Sequence, residues 1–103
     1  MRFPLLSDIE VQRQLNALEG WSRKGDALVK TFEFSAFPAG ILWLTRVADA
    51  AERANHHPDL DVRYKKITAQ LSTHDSGGIT ARDFALAREL DELAEIERED
   101  EPA

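Results

Sequence analysis

The sequence contains no cysteine among its 103 residues. That excludes disulfide scaffolds, thiolate metal sites and cysteine nucleophiles. It also lacks any surplus of positive charge: 13 Lys and Arg stand against 19 Asp and Glu, a formal net charge of -6. Phosphate-rich partners demand a basic surface, so no binding to nucleic acid or to an anionic membrane is expected. Long apolar runs are missing too. The longest apolar region, "FPAGILWL", is too short to cross a bilayer. "MRFPLLSDIE" holds no run suited to a signal peptide, and the expected location is the cytoplasm. No H-x-H or H-x-x-x-H spacing occurs, and adjacent histidines seldom both reach one ion, so no metal is expected. "DSGG" resembles no phosphate loop. Ser72 and Ser76 flank His74, but no strand–turn–helix elbow surrounds either, so neither is a convincing nucleophile.

What is present suits one small domain over residues 1–103, burying roughly 65% of its unfolded surface. "SDIEVQRQLNALEGW" opens with a capping box, Ser7 with Glu10, and predicts a helix over about 8–18 that Gly20 stops. "GWSRKGD" reads as a first strand with a turn at Gly25 and Asp26. "ALVKTFEF" reads as a second strand over about 27–34. "SAFPAGILWLTRVADAAERANHH" is the longest helical pattern, with Ser35 as its cap and Phe37, Ile41, Leu44, Ala48 and Ala51 at helical spacing. It should end near Asn55, because Pro58 pushes His57 toward an extended backbone. "LDVRYKKITAQLSTH" reads as a strand pair. Ile67, Ala69 and Leu71 lie on one face, and Lys66, Thr68, Gln70, Ser72 and His74 on the other. "TARDFALARELDELAEI" is the last helix, capped by Thr80, and the acidic run after it predicts a frayed tail over 97–103. Adjacent strand pairs favour antiparallel ladders. The predicted fold is α+β, a four-stranded antiparallel sheet with three helices packed on one face.

All three histidines, His56, His57 and His74, fall within 19 residues. Glu52 lies four positions before His56, a spacing that brings the two together if the helix reaches that far. His57 precedes a proline, so its ring points elsewhere. His74 is expected on the polar face at a strand end. Three imidazoles then line a cleft where a helix end meets a strand end, set against the bland reading of three ordinary surface residues.

The order Glu52, three residues, His56-His57-Pro58, five residues, Tyr64, nine residues, His74, eight residues, Asp83 resembles the signature of the pterin-4a-carbinolamine dehydratases. That family also includes the dimerisation cofactor of a hepatocyte nuclear factor. "LEGW" with Trp21, "FEFSAFPAGILWLTRVADAAE" and "ITAQLSTHDSGGIT" are similar to its flanking segments, so residues from about 7 to 95 take part. One departure is Leu60, where many members carry an aromatic.

The resemblance implies a lyase with no cofactor. Its substrate would be a pterin, 4a-hydroxytetrahydrobiopterin, left when an aromatic amino acid hydroxylase uses tetrahydrobiopterin. Its product would be quinonoid dihydropterin. The resemblance assigns His56, His57 and His74 as catalytic imidazoles, Glu52 as the orienter of His56, and self-association to a dimer or tetramer. Trp21 is open to two readings, an aromatic wall for the pterin or core packing. Asp83 either holds an imidazole or the pterin, or completes the cap with Thr80. Tyr64 faces the side of His74 by strand parity, or packs at an interface. The competing role is a non-catalytic protein-binding module of the same fold, a transcription-factor cofactor or a rubisco assembly factor.

Overall fold

Apolar side chains recur at alternate positions of the two segments that form the middle of the sheet, and this alternation sets the architecture. The computed structural model describes residues 3–99. Its elements are α1 (Asp8–Leu15), β1 (Ser22–Lys24), β2 (Ala27–Glu33), α2 (Phe37–Ala54), β3 (Asp59–Arg63), β4 (Lys66–Leu71), a 3-10 turn (His74–Ser76) and α3 (Ala81–Glu99). The strands form one antiparallel sheet in the order β1-β2-β4-β3. Register pairs Phe32 with Ile67 and Leu28 with Leu71, which puts all four on one face, fully buried. On the other face Thr31 and Thr68 share a hydroxyl hydrogen bond at 2.8 Å beside exposed Lys66 and Gln70. The fold is α+β, with the three helices on the apolar face, as the sequence predicts.

The helices differ from expectation in informative ways. The capping box at Ser7 and Glu10 forms with both of its hydrogen bonds. α1 nevertheless stops at Leu15, short of 18, because Ala17 and Leu18 donate to carbonyls three residues back and tighten the chain. α2 is capped at Ala36 rather than Ser35, with no side-chain hydrogen bond to its first turn. Its buried face runs through Gly40, Trp43, Val47, Ala50 and Ala51, which leaves the predicted Phe37 and Ile41 exposed. Gly40 explains this rotation. A Cβ there would lie 3.1 Å from Ile67 Cδ1, so the bare position lets α2 settle onto the sheet. Trp43, the largest fully buried residue, then fills the core, and its indole N–H donates to the Leu90 carbonyl at 3.1 Å, tying α2 to α3.

β4 ends at Leu71, so His74 lies beyond the strand and opens the 3-10 turn. A bridge between Thr73 and Gly78 closes that turn into a tight loop. α3 begins behind Thr80, as expected, and continues through Glu99. Glu97 is buried and meets Arg46 at 2.9 Å, so the helix extends past the start of the predicted frayed tail. Residues 100–103 of that tail lie outside the described residues.

Candidate active site

The site is assembled by one backbone reversal. α2 ends on Asn55, which takes the left-handed conformation at φ 49°. A short polar side chain tolerates this, and the His56 amide then closes the helix by donating to the Ala51 carbonyl at 3.1 Å. The reversal separates the two adjacent imidazoles. His56 turns inward and is only 7% exposed, while His57 stays at the surface.

Inside, His56 Nε2 lies 2.6 Å from Asp83 Oδ1. Asp83 is fully buried at the start of α3. Its Oδ2 accepts from the Thr80 amide and from the Thr73 hydroxyl, each at 2.9 Å. Asp83 thus accepts from the backbone at the start of α3 and contacts an imidazole with its other oxygen. Outside, His57 Nε2 pairs with the Glu52 carboxylate. The expected partner of Glu52 was His56. The helical spacing fails because the helix stops at Ala54, and His57 folds back onto Glu52 across the reversal. His74 is exposed at the first position of the 3-10 turn, and its ring has no hydrogen-bond partner among the described residues.

His56, His57 and His74 border one cleft of about 290 Å³, together with Asp59, Asp75 and Arg82. That is near the lower end for small-molecule sites. No cluster of three metal-ligating side chains occurs among the described residues.

Two expected residues are elsewhere. Trp21 is in the core, edge-on to Phe32, with its indole N–H on the Asp91 carboxylate at 3.0 Å. It does not border the cleft. Tyr64 is 70% exposed in the turn between β3 and β4, at φ 54°, with its ring stacked against Phe37. Strand parity misplaces it because it belongs to neither strand.

Arg82 and Thr73 are among the cleft residues that the sequence did not single out. Arg82 donates to the Ala54 and Asn55 carbonyls at 2.9 and 2.7 Å, clamping the end of α2 to the start of α3. A cation in the first turn of a helix opposes the helix dipole, which was the only local hint. The unpaired carbonyl end of α2 supplies the compensation. Thr73 gave no hint, because its partner Asp83 is ten residues away in another element.

A family model described as pterin 4 alpha carbinolamine dehydratase matches residues 4–93. A relative from Nocardia farcinica, provisionally named a pterin-4-alpha-carbinolamine dehydratase, is 50% identical over 91% of this chain and 99% of its own. One from Roseiflexus castenholzii with the same provisional name is 48% identical over 86% of this chain and 96% of its own. A crystal structure from Brucella melitensis, described as a transcriptional coactivator/pterin dehydratase, superposes with a TM-score of 0.85 at 29% identity, covering 87% of this chain and 98% of that one. A pterin dehydratase-like rubisco assembly factor of the alpha-carboxysome shares the fold, with a TM-score of 0.60 at 23% identity over 72% of this chain and 86% of that one.

Proposed function

The chain belongs to the pterin 4 alpha carbinolamine dehydratase family, and on that premise we propose that it dehydrates 4a-hydroxytetrahydrobiopterin. The observation that carries this reading is the convergence of His56, His57 and His74 on one cleft, each in a different electrostatic setting. Dehydration of a carbinolamine moves two protons. An imidazolium gives one to the departing hydroxyl, which leaves as water. A neutral imidazole takes one from the ring nitrogen as the C=N bond of quinonoid dihydropterin forms. Histidine is the side chain that exchanges protons near neutral pH without special tuning, and such acid–base help is worth roughly 10²–10⁴-fold. In this reading His74 and one of the adjacent pair are acid and base. Asp83 and Glu52 orient the pair, and Arg82 keeps the α2 end in place.

The reaction would serve tetrahydrobiopterin recycling after an aromatic amino acid hydroxylase, in the cytoplasm. Among the described residues no helix is long and apolar enough to cross a membrane. Self-association through the exposed apolar side chains of Leu60 and Val62 on β3 and Phe37 and Ile41 on α2 completes the proposal.

The test is stopped-flow absorbance. The carbinolamine is generated in situ by a pterin-dependent hydroxylase and its decay followed with and without this protein. Decay faster than the spontaneous rate is expected. Decay at the spontaneous rate from folded protein would end the enzyme reading and leave the alternative, a non-catalytic protein-binding module.

A further inference from the structure

The threonine hydrogen bonds that end on the Asp83 carboxylate all run toward it. Thr73 Oγ1 lies 2.9 Å from Asp83 Oδ2 and 2.7 Å from Thr80 Oγ1. The Arg82 amide donates to Thr80 Oγ1 at 3.2 Å, and the Thr80 amide donates to Asp83 Oδ2 at 2.9 Å. A hydroxyl has one proton to give. A carboxylate only accepts, so the Thr73 proton goes to Asp83. Thr80 must then give its own proton to Thr73, while its lone pair takes the Arg82 amide. Every proton of the chain points toward Asp83, whose two donors on Oδ2 suit the ionised form.

The remaining contact of Asp83 is Oδ1 to His56 Nε2, at 2.6 Å. With Asp83 as acceptor, Nε2 carries the proton. In the neutral ring the lone pair is then on Nδ1. Nδ1 has no partner among the described residues, and it is not one of the sealed polar atoms without a partner. It therefore opens on the space that His56 borders, which comprises the cleft and an adjoining hollow lined by Arg82, Ala85, Leu86 and Glu89.

We infer that Thr73 and Thr80 are positioning residues that act through Asp83 to hold His56 in its Nε2–H tautomer, leaving Nδ1 as the nitrogen that exchanges a proton with substrate. The inference rests on the dehydratase reading and names the reacting atom of one of its imidazoles. Neither threonine borders His56 in sequence; Thr80 is fully buried, and Thr73 is only 2% exposed where it borders the cleft. A pattern of Thr-His and Thr-x-x-Asp thus carries both a helix cap and a tautomer lock.

The experiment is long-range ¹H–¹⁵N correlation on histidine-labelled protein at a pH where the rings are neutral, with kinetics on the same samples. His56→Gln assigns the signals. Wild-type His56 is expected to show a protonated Nε2 and an unprotonated Nδ1. Thr73→Val should populate both tautomers and lower kcat roughly 10-fold with KM little changed, the cost of a misplaced proton acceptor. Thr73→Ser should restore both. A merely structural threonine would not move the tautomer. A protonated Nδ1 in the wild type overturns the inference, even if Thr73→Val does not fold. So does a Thr73→Val or Thr73→Ala protein with unchanged tautomer and unchanged kcat. A tautomer change without a change in kcat removes His56 Nδ1 from the proton path. A wild type with no dehydratase activity sinks the functional reading instead, and the spectrum still decides the tautomer.

Discussion

His74 differs from the other two imidazoles in having no hydrogen-bond partner among the described residues. His56 is buried on Asp83 and His57 pairs with Glu52, whereas His74 stands exposed on its turn. Its removal should therefore separate chemistry from folding. His74→Ala is expected to lower kcat by ~10²–10⁴-fold, the usual acid–base contribution. Its stability should stay within about 0.5 kcal/mol of wild type, as for surface substitutions away from special features. Urea denaturation beside single-turnover kinetics checks both, and a protein that loses stability instead would make His74 structural. At this scale the sequence was legible where partners are close in the chain or bound to a motif: the imidazoles, and Asp83 with Thr80. It misled where a rule presumed its own geometry. Glu52 meets His57 because Asn55 breaks the helix on which the four-residue spacing depends. Arg82 and Thr73 were hidden because they act on groups in other elements.

Between elements, the position of the site depends on how two helices begin and end. Asn55 is the hinge from α2 to the two histidines, in a left-handed conformation that costs most residues about 1–2 kcal/mol. Asn55→Val should lose about that much stability in a denaturant titration, and Asn55→Gly should lose none. Equal losses in the two variants would mean that the side chain, not the backbone, matters. At α1, the Ser7 amide donates to the Glu10 carboxylate at 2.9 Å and the Ser7 hydroxyl oxygen accepts from the Glu10 amide at 3.2 Å; hydrogen bonding from the Ser7 backbone first, and from its hydroxyl second, holds the Glu10 carboxyl below its usual range. A depressed folded-state value stabilises the protein above the unfolded carboxylate range, and that contribution is lost as pH falls through the folded value. Ser7→Ala should cost about 1 kcal/mol at neutral pH. Glu10→Gln, which removes the titrating group and leaves the Ser7 cap in place, should flatten the acid limb of the stability–pH curve; an unchanged limb would remove Glu10 from it. Element order and type were readable from the alternation in β2 and β4 and from the caps. The rotation of α2 was not, because Phe37 and Ile41 sit at the same helical spacing as true core positions. Only the space beside Gly40 decides which stripe faces the sheet.

For the whole molecule, the sheet leaves one apolar surface unfinished. Leu60 and Val62 lie on the helix side of β3 yet remain 39% and 42% exposed. Phe37, Ile41 and the ring of Tyr64 extend the same surface. β3 is also an edge strand, with one side of its backbone unpaired among the described residues. Its charged residues, Asp59, Asp61 and Arg63, sit on the other face, so they do little to shield this apolar side. The proposed self-association would cover this side with a second copy of the chain. The three imidazoles all come from one chain, and β3 contributes to the cleft only through Asp59 at its start. Assembly and chemistry should therefore separate. Val62→Lys puts a charge in the middle of the strip while leaving the cleft residues in place. Sedimentation should move from an oligomer toward a monomer, with kcat per chain kept within a few-fold of wild type, about 1 kcal/mol in the barrier. A monomeric wild type would remove self-association from the proposal. A monomeric Val62→Lys protein with no activity would mean that the cleft is complete only in the assembly.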